Sequence, residues 1–258
     1  MTKDLTKGSP SKVLWQFSLP LLGSVLFQQM YNLADSLVAG KLISEDALSA
    51  VGNAYEITLI YLAFAFGCNI GCSVVLSQLF GAKQIRDLKT AVTTNFIFSG
   101  TLTVVLMVLG FTLCPALLAL IKVPEHLRGE TMTYLNIYTA GLIFLFFYNI
   151  SNGIFTALGD SKTPFLFLAA SSTANVFLDI LFVKLFPHWG IGAVAWATFL
   201  CQGVSCVLAM LTVLQKLRRL RCEEKPRLFD WGILRRIIRI ALPSTLQQSF
   251  VSVGNIIL

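Results

Sequence analysis

The sequence is divided into long stretches that carry almost no charged side chains. Residues 57–82, 90–121, 131–159, 185–215 and 240–258 contain no Asp, Glu, Lys or Arg, and 13–40 and 163–183 contain one each, Asp35 and Asp179. A helix that crosses a bilayer needs about 20 apolar residues, so each stretch is long enough. Only 13% of all residues are charged, against about 25% in soluble domains. An all-α integral membrane protein is therefore predicted.

The uncharged stretches predict six complete spans and the start of a seventh. Strands of a membrane β-barrel would be about ten residues of alternating polarity, a pattern that is not seen here. We expect a cytoplasmic N-terminus (1–13), a six-helix lobe (14–215), a basic linker with an amphipathic helix (216–237) and the truncated first helix of a second lobe (238–258). The six spans are placed near 14–39, 51–79, 90–115, 132–157, 164–186 and 190–214.

Basic residues are distributed unevenly between the two ends of the predicted spans. Sixteen of the 20 Lys and Arg residues fall on the side of the N-terminus. Cytoplasmic loops are enriched in Lys and Arg, so the N-terminus is predicted to be cytoplasmic. The net charge of +7 then reflects topology, and no nucleic-acid partner is expected. Contact of residues 216–239 with anionic lipids is an alternative use of the basic linker.

The seventh predicted span resembles the first. With Pro20 aligned on Pro243, similar residues recur in the pairs Lys12 and Arg235, Leu19 and Leu242, Phe27 and Phe250, and Asn32 and Asn255. Six spans per repeat is an even number, so both copies would have the same orientation, as in some two-lobed transporters. The chain is therefore predicted to comprise one lobe and the opening helix of a second.

Polar side chains follow one face of two predicted spans. The first span carries Ser24, Gln28, Asn32 and Asp35, and the fifth carries Ser171, Asn175 and Asp179. Steps of three or four residues place side chains on the same side of a helix. A carboxylate at the centre of a membrane helix costs about 2.5–3.5 kcal/mol on insertion scales. Both faces are therefore expected to point toward polar groups or water.

Helical rise brings three of these polar groups to a similar depth. Asp35 lies about 30 Å beyond Trp15, Asp179 about 22 Å beyond Pro164, and Thr198 of the sixth span about 13 Å below Trp189. Two neighbouring carboxylates cannot easily both be ionised, and a bound proton or Na⁺ would relieve the cost. Asn175 and Thr198 add oxygen ligands that hard cations prefer. We predict a coupling site for Na⁺ or H⁺; a structural polar cluster is the alternative.

Other polar residues extend this hypothesis. Asn152 of the fourth span is a further polar residue that lipid would penalise, and Tyr134 either contacts substrate or belongs to an interfacial aromatic belt. Pro20 can bend the first span below its polar face. The histidines lie in predicted outer loops, and no metal-ligand constellation surrounds the six cysteines. No cofactor is therefore expected.

Four motifs resemble the multidrug and toxic compound extrusion (MATE) family of secondary transporters. They are "LPLLGSVLFQQMYNLADSLVAGKL", "SQLFGAKQIRDLK", "GIFTALGDSKTP" and "NVFLDILFV". The resemblance implies a 12-helix protein of two six-helix lobes that exchanges cations for organic, often cationic, drugs. It also implies a cation site at Asp35, Asn175, Asp179 and Thr198, with Ala197 as an alternative to the last, and places Gln28, Tyr134 and Asn152 in the same polar network.

These observations predict a cation-coupled antiporter of the plasma membrane that exports organic cations and is not an enzyme. Loading of the ion would neutralise Asp35 or Asp179, and a bend near Pro20 would then expel the drug. A flippase for lipid-linked sugars is an alternative, but it would prefer buried cationic residues. An intramembrane aspartyl enzyme and a passive channel are further alternatives. The expected partners are the bilayer, the organic substrate and the second lobe.

Overall fold

Helices occupy every position at which the sequence predicts a span. The computed structural model describes residues 10–220, 222 and 224–257. Residues 1–9 of the predicted N-terminal segment, 221 and 223 of the predicted linker, and 258 lie outside the described residues. The helices are α1 (Pro10–Val38), α2 (Glu45–Gly81), α3 (Ile85–Leu120), α4 (Glu125–Ala140), α5 (Leu142–Ala157), α6 (Lys162–Leu185), α7 (Ile191–Arg219) and α8 (Trp231–Ile257). A π-helical turn, Ala39–Ile43, follows α1, and a 3₁₀ turn, Pro187–Trp189, precedes α7.

Several helices are suited to a bilayer by length and composition. Among the described residues, α2, α3, α6 and α7 are each long and apolar enough to cross a membrane. The helices α4 and α5 together make a fifth span, bent by 48°. The more polar α1 and α8 fall outside this group, although their 29 and 27 residues would be long enough to span. These features agree with a multi-pass membrane protein.

The bend between α4 and α5 occurs at Gly141 and was not predicted from the sequence. The amide of Gly141 donates to the carbonyls of both Ile137 and Tyr138, which tightens the last turn of α4. A Cβ atom at this position would lie 3.2 Å from the Tyr138 oxygen and 3.3 Å from the Phe199 ring. Glycine therefore allows the bent span to lie close against α7.

The turn between α5 and α6 is fixed by a buried ion pair at the predicted cytoplasmic end. Gly159 takes a positive φ of 75°, and the next residue, Asp160, caps α6 by accepting a hydrogen bond from the Thr163 amide at 3.1 Å. Asp160 is 7% exposed and pairs with Lys216 near the end of α7. Burial opposes ionisation, but hydrogen bonds from Lys216 and Thr163 outweigh it and hold the pKa of Asp160 below its usual value.

The predicted boundaries of the linker differ from the helix ends that are observed. Helix α7 continues to Arg219, and the amphipathic segment and the seventh span form one continuous helix from Trp231. The segment before α8 is held to α3, because Thr90 and Thr94 accept hydrogen bonds from the amides of Arg227 and Asp230 at 3.0 and 3.1 Å. Beside these contacts, Arg86 pairs with Glu224 at 2.5 Å.

Helix α8 approaches α2 closely at two glycines. A Cβ on Gly71 would lie 2.9 Å from the Ile237 carbonyl oxygen, and one on Gly67 would overlap the Thr245 side chain. Small residues let membrane helices pack with their backbones near each other. The opening helix of the predicted second lobe is therefore packed on the first lobe.

The core of the lobe lies around α2 and α5, whereas α1 lies at its edge. Phe146 and Ile150 of α5 and Leu76 of α2 are almost completely buried. Helix α1 instead exposes one apolar face, formed by Leu22, Leu26, Met30, Leu33 and Leu37. Its polar face points into the bundle, and this places Asp35 opposite α6 and α7.

Candidate cation-binding site

Three helices bring the predicted ion-binding residues together. Asp35 comes from α1, Asn175 and Asp179 from α6, and Thr198 from α7. All four are buried, with 4, 1, 0 and 3% of their surfaces exposed. Asn175 and Asp179 share one face of α6 because they are four residues apart. The two acids therefore occupy one pocket in the protein interior and do not face lipid.

The amide of Asn175 lies between the two carboxyl groups. With its nitrogen toward them, the side chain donates to Asp35 Oδ1 and Asp179 Oδ2 at 3.0 Å each, and its oxygen accepts from the Thr198 amide at 3.3 Å. Turned over, the nitrogen instead lies 3.4 Å from Thr198 Oγ1, and the oxygen faces the carboxylates. The first orientation suits a site without a cation, whereas the second presents an additional oxygen ligand.

The two acids also contact each other. Asn175 lies 3.0 Å from an oxygen of each acid, and the two carboxyl groups are close enough to interact. Because a carboxylate has no hydrogen to donate, a hydrogen bond between them requires that one carry a proton. Within the described part of the chain, Asp179 Oδ1 is buried and has no hydrogen-bond partner. A buried anionic oxygen without a partner is costly, so the site favours a proton or a cation.

The oxygen set determines which ions fit. Two carboxylates, an amide oxygen and a hydroxyl oxygen are hard ligands, which suit Na⁺ and do not select soft metals. The described residues contain no cluster of three or more His, Cys, Asp or Glu side chains that could hold a metal ion. The residues that are present therefore fit one proton or one Na⁺.

Two cavities adjoin the acid pair. The first, which we call the inner cavity, has a volume of about 250 Å³ and lies between α1, α5, α6 and α7. The second, the outer cavity, has a volume of about 370 Å³ and lies mainly between α1, α2 and α4. Asn175 and Thr198 line the inner cavity, and Asp35 lines the outer one. The site is thus reached from two sides, at Asn175 and Thr198 from the inner cavity and at Asp35 from the outer cavity.

The structure divides the remaining predicted residues between these cavities. Gln28 lines both, Asn152 lines the inner cavity, and Asn32 and Tyr134 line the outer one. Tyr134 is only 6% exposed, which disfavours its assignment to an interfacial aromatic belt. Pro20 lines neither cavity and lies inside the continuous helix α1. Its role as a hinge stays a prediction.

One residue that contacts the site was missing from the sequence-based set. The Tyr31 hydroxyl donates to Thr198 Oγ1 at 3.3 Å and lies close enough to Asp35 to interact with it. Tyr31 lies four residues before Asp35, on the same helix face. This spacing could have identified it, but a tyrosine in a membrane helix is more readily assigned to packing.

The fold and the buried acid pair are those of a multi-pass membrane lobe, and comparison with known proteins gives its family. The family described as MatE matches residues 20–181. The chain is 32% identical over 251 residues to "Probable multidrug resistance protein YpnP" of Bacillus subtilis (strain 168), covering 97% of this chain and 56% of that protein. It thus spans about half the length of the curated relatives it matches. The chain belongs to the MatE family.

Solved structures support the same assignment. A MOP superfamily transporter from Pyrococcus furiosus Vc1 (DSM3638), described as having a binding pocket of reversed polarity, superposes with a TM-score of 0.86 at 25% identity. A MATE crystal structure in the bent conformation gives 0.86 at 26% identity. Each match covers 96% of this chain and 55% of the other. The predicted fold class, a six-helix transporter lobe with the start of a seventh helix, is confirmed.

Proposed function

We propose that this chain forms the ion-coupling lobe of an antiporter that exports organic cations in exchange for Na⁺ or H⁺. The observation that carries the proposal is the pair Asp35 and Asp179, buried together around Asn175 without a basic partner. Such a pair binds a proton or a cation more readily than it stays doubly ionised. Relatives named as multidrug resistance proteins support drug efflux as the transport activity.

The charge of the cavities supports an organic cation as the substrate. Among the described residues that line the two cavities, there is no Lys or Arg, whereas Asp35 is present. A flippase for lipid-linked sugars would need basic side chains to bind a diphosphate. Aromatic rings of the inner cavity, including Phe66, Phe144 and Tyr148, can contact the cation through their faces. The cavities therefore favour cations over anionic lipids.

The exchange follows from the charge of the acid pair. With the pair ionised, the lobe attracts an organic cation; with a proton or Na⁺ bound, that attraction is lost. An ion can shift the transporter between two states only to the extent that it binds one of them better. Bending of α1 at Pro20 would couple the ion-bound state to a narrower inner cavity and to release of the drug.

The proposed location is the plasma membrane with the N-terminus in the cytoplasm. The distribution of basic residues favours this orientation, and Arg86, Lys216, Arg218 and Arg235 lie at the same end of the helices in the fold. Ions would then be loaded from outside, and drugs would enter from the cytoplasm. A second lobe would complete the transport path.

Efflux from proteoliposomes tests the proposal. The two-lobed protein is reconstituted with ethidium inside, and a Na⁺ gradient or a pH gradient is applied separately. We expect one gradient to drive efflux and Asp35→Asn to abolish it at normal expression. Glu56→Gln is the matched control, because Glu56 is an acid of α2 that lines neither cavity. Gradient-driven efflux of unchanged rate in Asp35→Asn would refute the proposal.

A further inference from the structure

The two cavities lie at different depths in the lobe. The inner cavity reaches Leu21 and Ser24 of α1 and Pro164 near the start of α6, all toward the predicted cytoplasmic end. The outer cavity reaches Ser36, two residues before the other end of α1, and Val51 near the start of α2. Ser24 and Ser36 are separated by about 18 Å of helical rise. The cavities are therefore stacked along the membrane normal.

A layer of side chains, which we call the partition, lies between the inner and outer cavities. Four residues line both cavities: Gln28, Tyr31, Leu145 and Gln202. They come from three helices, α1, α5 and α7. The bend at Gly141 helps to build it, because α4 presents Tyr134 and Tyr138 to the outer cavity and α5 presents Tyr148 to the inner one.

Tyr31 is the member of this layer that also contacts the ion site. Its hydroxyl has one hydrogen, which it donates to Thr198 Oγ1 at 3.3 Å, and the Asp35 carboxyl group lies close enough to be an alternative acceptor. A hydrogen bond to a charged carboxylate is stronger than one to a neutral hydroxyl. The Tyr31 hydrogen therefore turns toward Asp35 when that acid is ionised and toward Thr198 when it is neutralised.

The chemistry of the walls differs between the cavities. The outer cavity presents the oxygens of Asn32, Ser36, Tyr55 and Thr58 on the approach to Asp35. Such a wall can replace the hydration shell of a small ion in steps. The inner cavity has the larger apolar share, and its lining combines the phenylalanine rings of Phe66 and Phe144 with the amides of Asn149 and Asn152. This combination suits a flat organic cation, since cofactor-sized and drug-sized ligands prefer apolar walls with a few polar groups.

We propose that the coupling ion reaches Asp35 through the outer cavity while the organic cation occupies the inner cavity, and that Tyr31 is the positioning residue of the partition between them. This inference rests on the proposed function and adds separate access routes to it. The two ligands then influence each other through the charge of the acid pair and do not compete for the same space.

Accessibility of single cysteines tests the two routes. In a protein whose six native cysteines are replaced, Ser36→Cys reports on the outer cavity and Ser171→Cys on the inner one. A membrane-impermeant cationic methanethiosulfonate applied outside should modify only Ser36→Cys, and ethidium should protect only Ser171→Cys from the reagent applied inside. Ser73→Cys, on the exposed face of α2, is the control and should react from neither side.

The outcomes separate this inference from the proposed function. Equal protection of both cysteines by ethidium would show a single shared space and would overturn the separate routes alone. If the unmodified protein binds ethidium but shows no response to Na⁺ or to pH, the proposed coupling fails, and the inference fails with it. Protection of Ser171→Cys alone, with ion-dependent efflux lost after modification of Ser36→Cys, would support both.

The role of Tyr31 is tested by removing its hydroxyl. Tyr31→Phe keeps the ring in the partition, so we expect the ion concentration for half-maximal efflux to change about tenfold, the size expected from one hydrogen bond to a charged group. Tyr61→Phe is the matched control, because Tyr61 contacts Gly110 and Thr139 and lines neither cavity. A lower maximal rate with an unchanged ion dependence would indicate a merely structural role and would contradict the assignment.

Discussion

Two buried acidic sites in this lobe have opposite surroundings. Asp160, at the predicted cytoplasmic end, caps α6 and pairs with Lys216. The Lys216 ammonium group also lies over the Phe155 ring, 5.1 Å from its centre. Among the residues that the structure describes, the partners of Asp35 and Asp179 are each other, an amide and hydroxyl groups. A carboxylate with a built-in counter-charge holds helices together. A carboxylate without a counter-charge in the protein has to obtain one from solution, and this requirement suits the acid pair to the proposed ion coupling.

The largest effect is expected when the acid pair is given a permanent counter-charge. Asn175→Lys places an ammonium group where the amide now meets both carboxyl groups. Ion-driven efflux of ethidium should fall about 100-fold, in the upper part of the usual range of coupling energies, because the ion no longer changes the charge of the site. The measurement is efflux from proteoliposomes, and Thr198→Lys serves as a second variant. Efflux with the original ion dependence in a folded variant would show that the pair is not the coupling site.

Removing one partner of the ion pair between Asp160 and Lys216 should lower the stability of the fold. Lys216→Met leaves Asp160 without its cation, and we expect the free energy of unfolding to fall by about 2 kcal/mol, less than for a pair in a dry interior because this pair lies at the end of the helices. The thermal unfolding temperature in detergent measures the change. Lys162→Met, beside the same turn, is the control, and an equal loss there would contradict a specific role of the ion pair.

A low pH should destabilise the turn between α5 and α6 that Asp160 caps. Because the pKa of Asp160 is lower in the folded protein than in the unfolded chain, its contribution is complete above the unfolded value of about 3.9 and is lost as the pH falls through the folded value. The unfolding temperature should therefore decrease between pH 5 and pH 3, and Asp160→Asn should flatten part of this slope. The same slope in both proteins would show that other groups cause the acid sensitivity.

The smallest effect concerns the segment before α8, where the contact with α3 is a hydrogen bond between neutral groups. Thr94→Val removes the oxygen that accepts from the Asp230 amide at 3.1 Å, and we expect a loss of about 1 kcal/mol, typical of one hydrogen bond. Thermal unfolding measures it, with Thr112→Val on the exposed face of α3 as the control. An equal change in both variants would mean that the contact with the segment contributes nothing.

The sequence predicted that Asp35, Asn175, Asp179 and Thr198 lie close together, because a charge in a membrane helix has few possible positions. The steps from Gln28 to Asp35 and from Asn175 to Asp179 fixed the helix faces, and helical rise fixed their depth. Both properties belong to single helices. The coupling function of these residues stays a prediction, which the experiments above address.

Features that depend on contacts between helices were not predicted. The bend at Gly141 depends on Phe199, which is distant in the sequence, and glycine is common in straight membrane helices as well. Lys216 was counted as one of many cytoplasmic basic residues, and nothing in the sequence pairs it with Asp160. The layer of side chains around Tyr31 required the positions of three helices at once, α1, α5 and α7.

The contacts of α8 bear on the order in which the protein assembles. The groups that hold its first turns, Gly67, Gly71, Thr90 and Thr94, all precede it in the sequence. During synthesis, the ribosome therefore releases this helix into a membrane where its docking surface has already been made. The helices of the proposed second lobe would then be added to a helix that is already anchored.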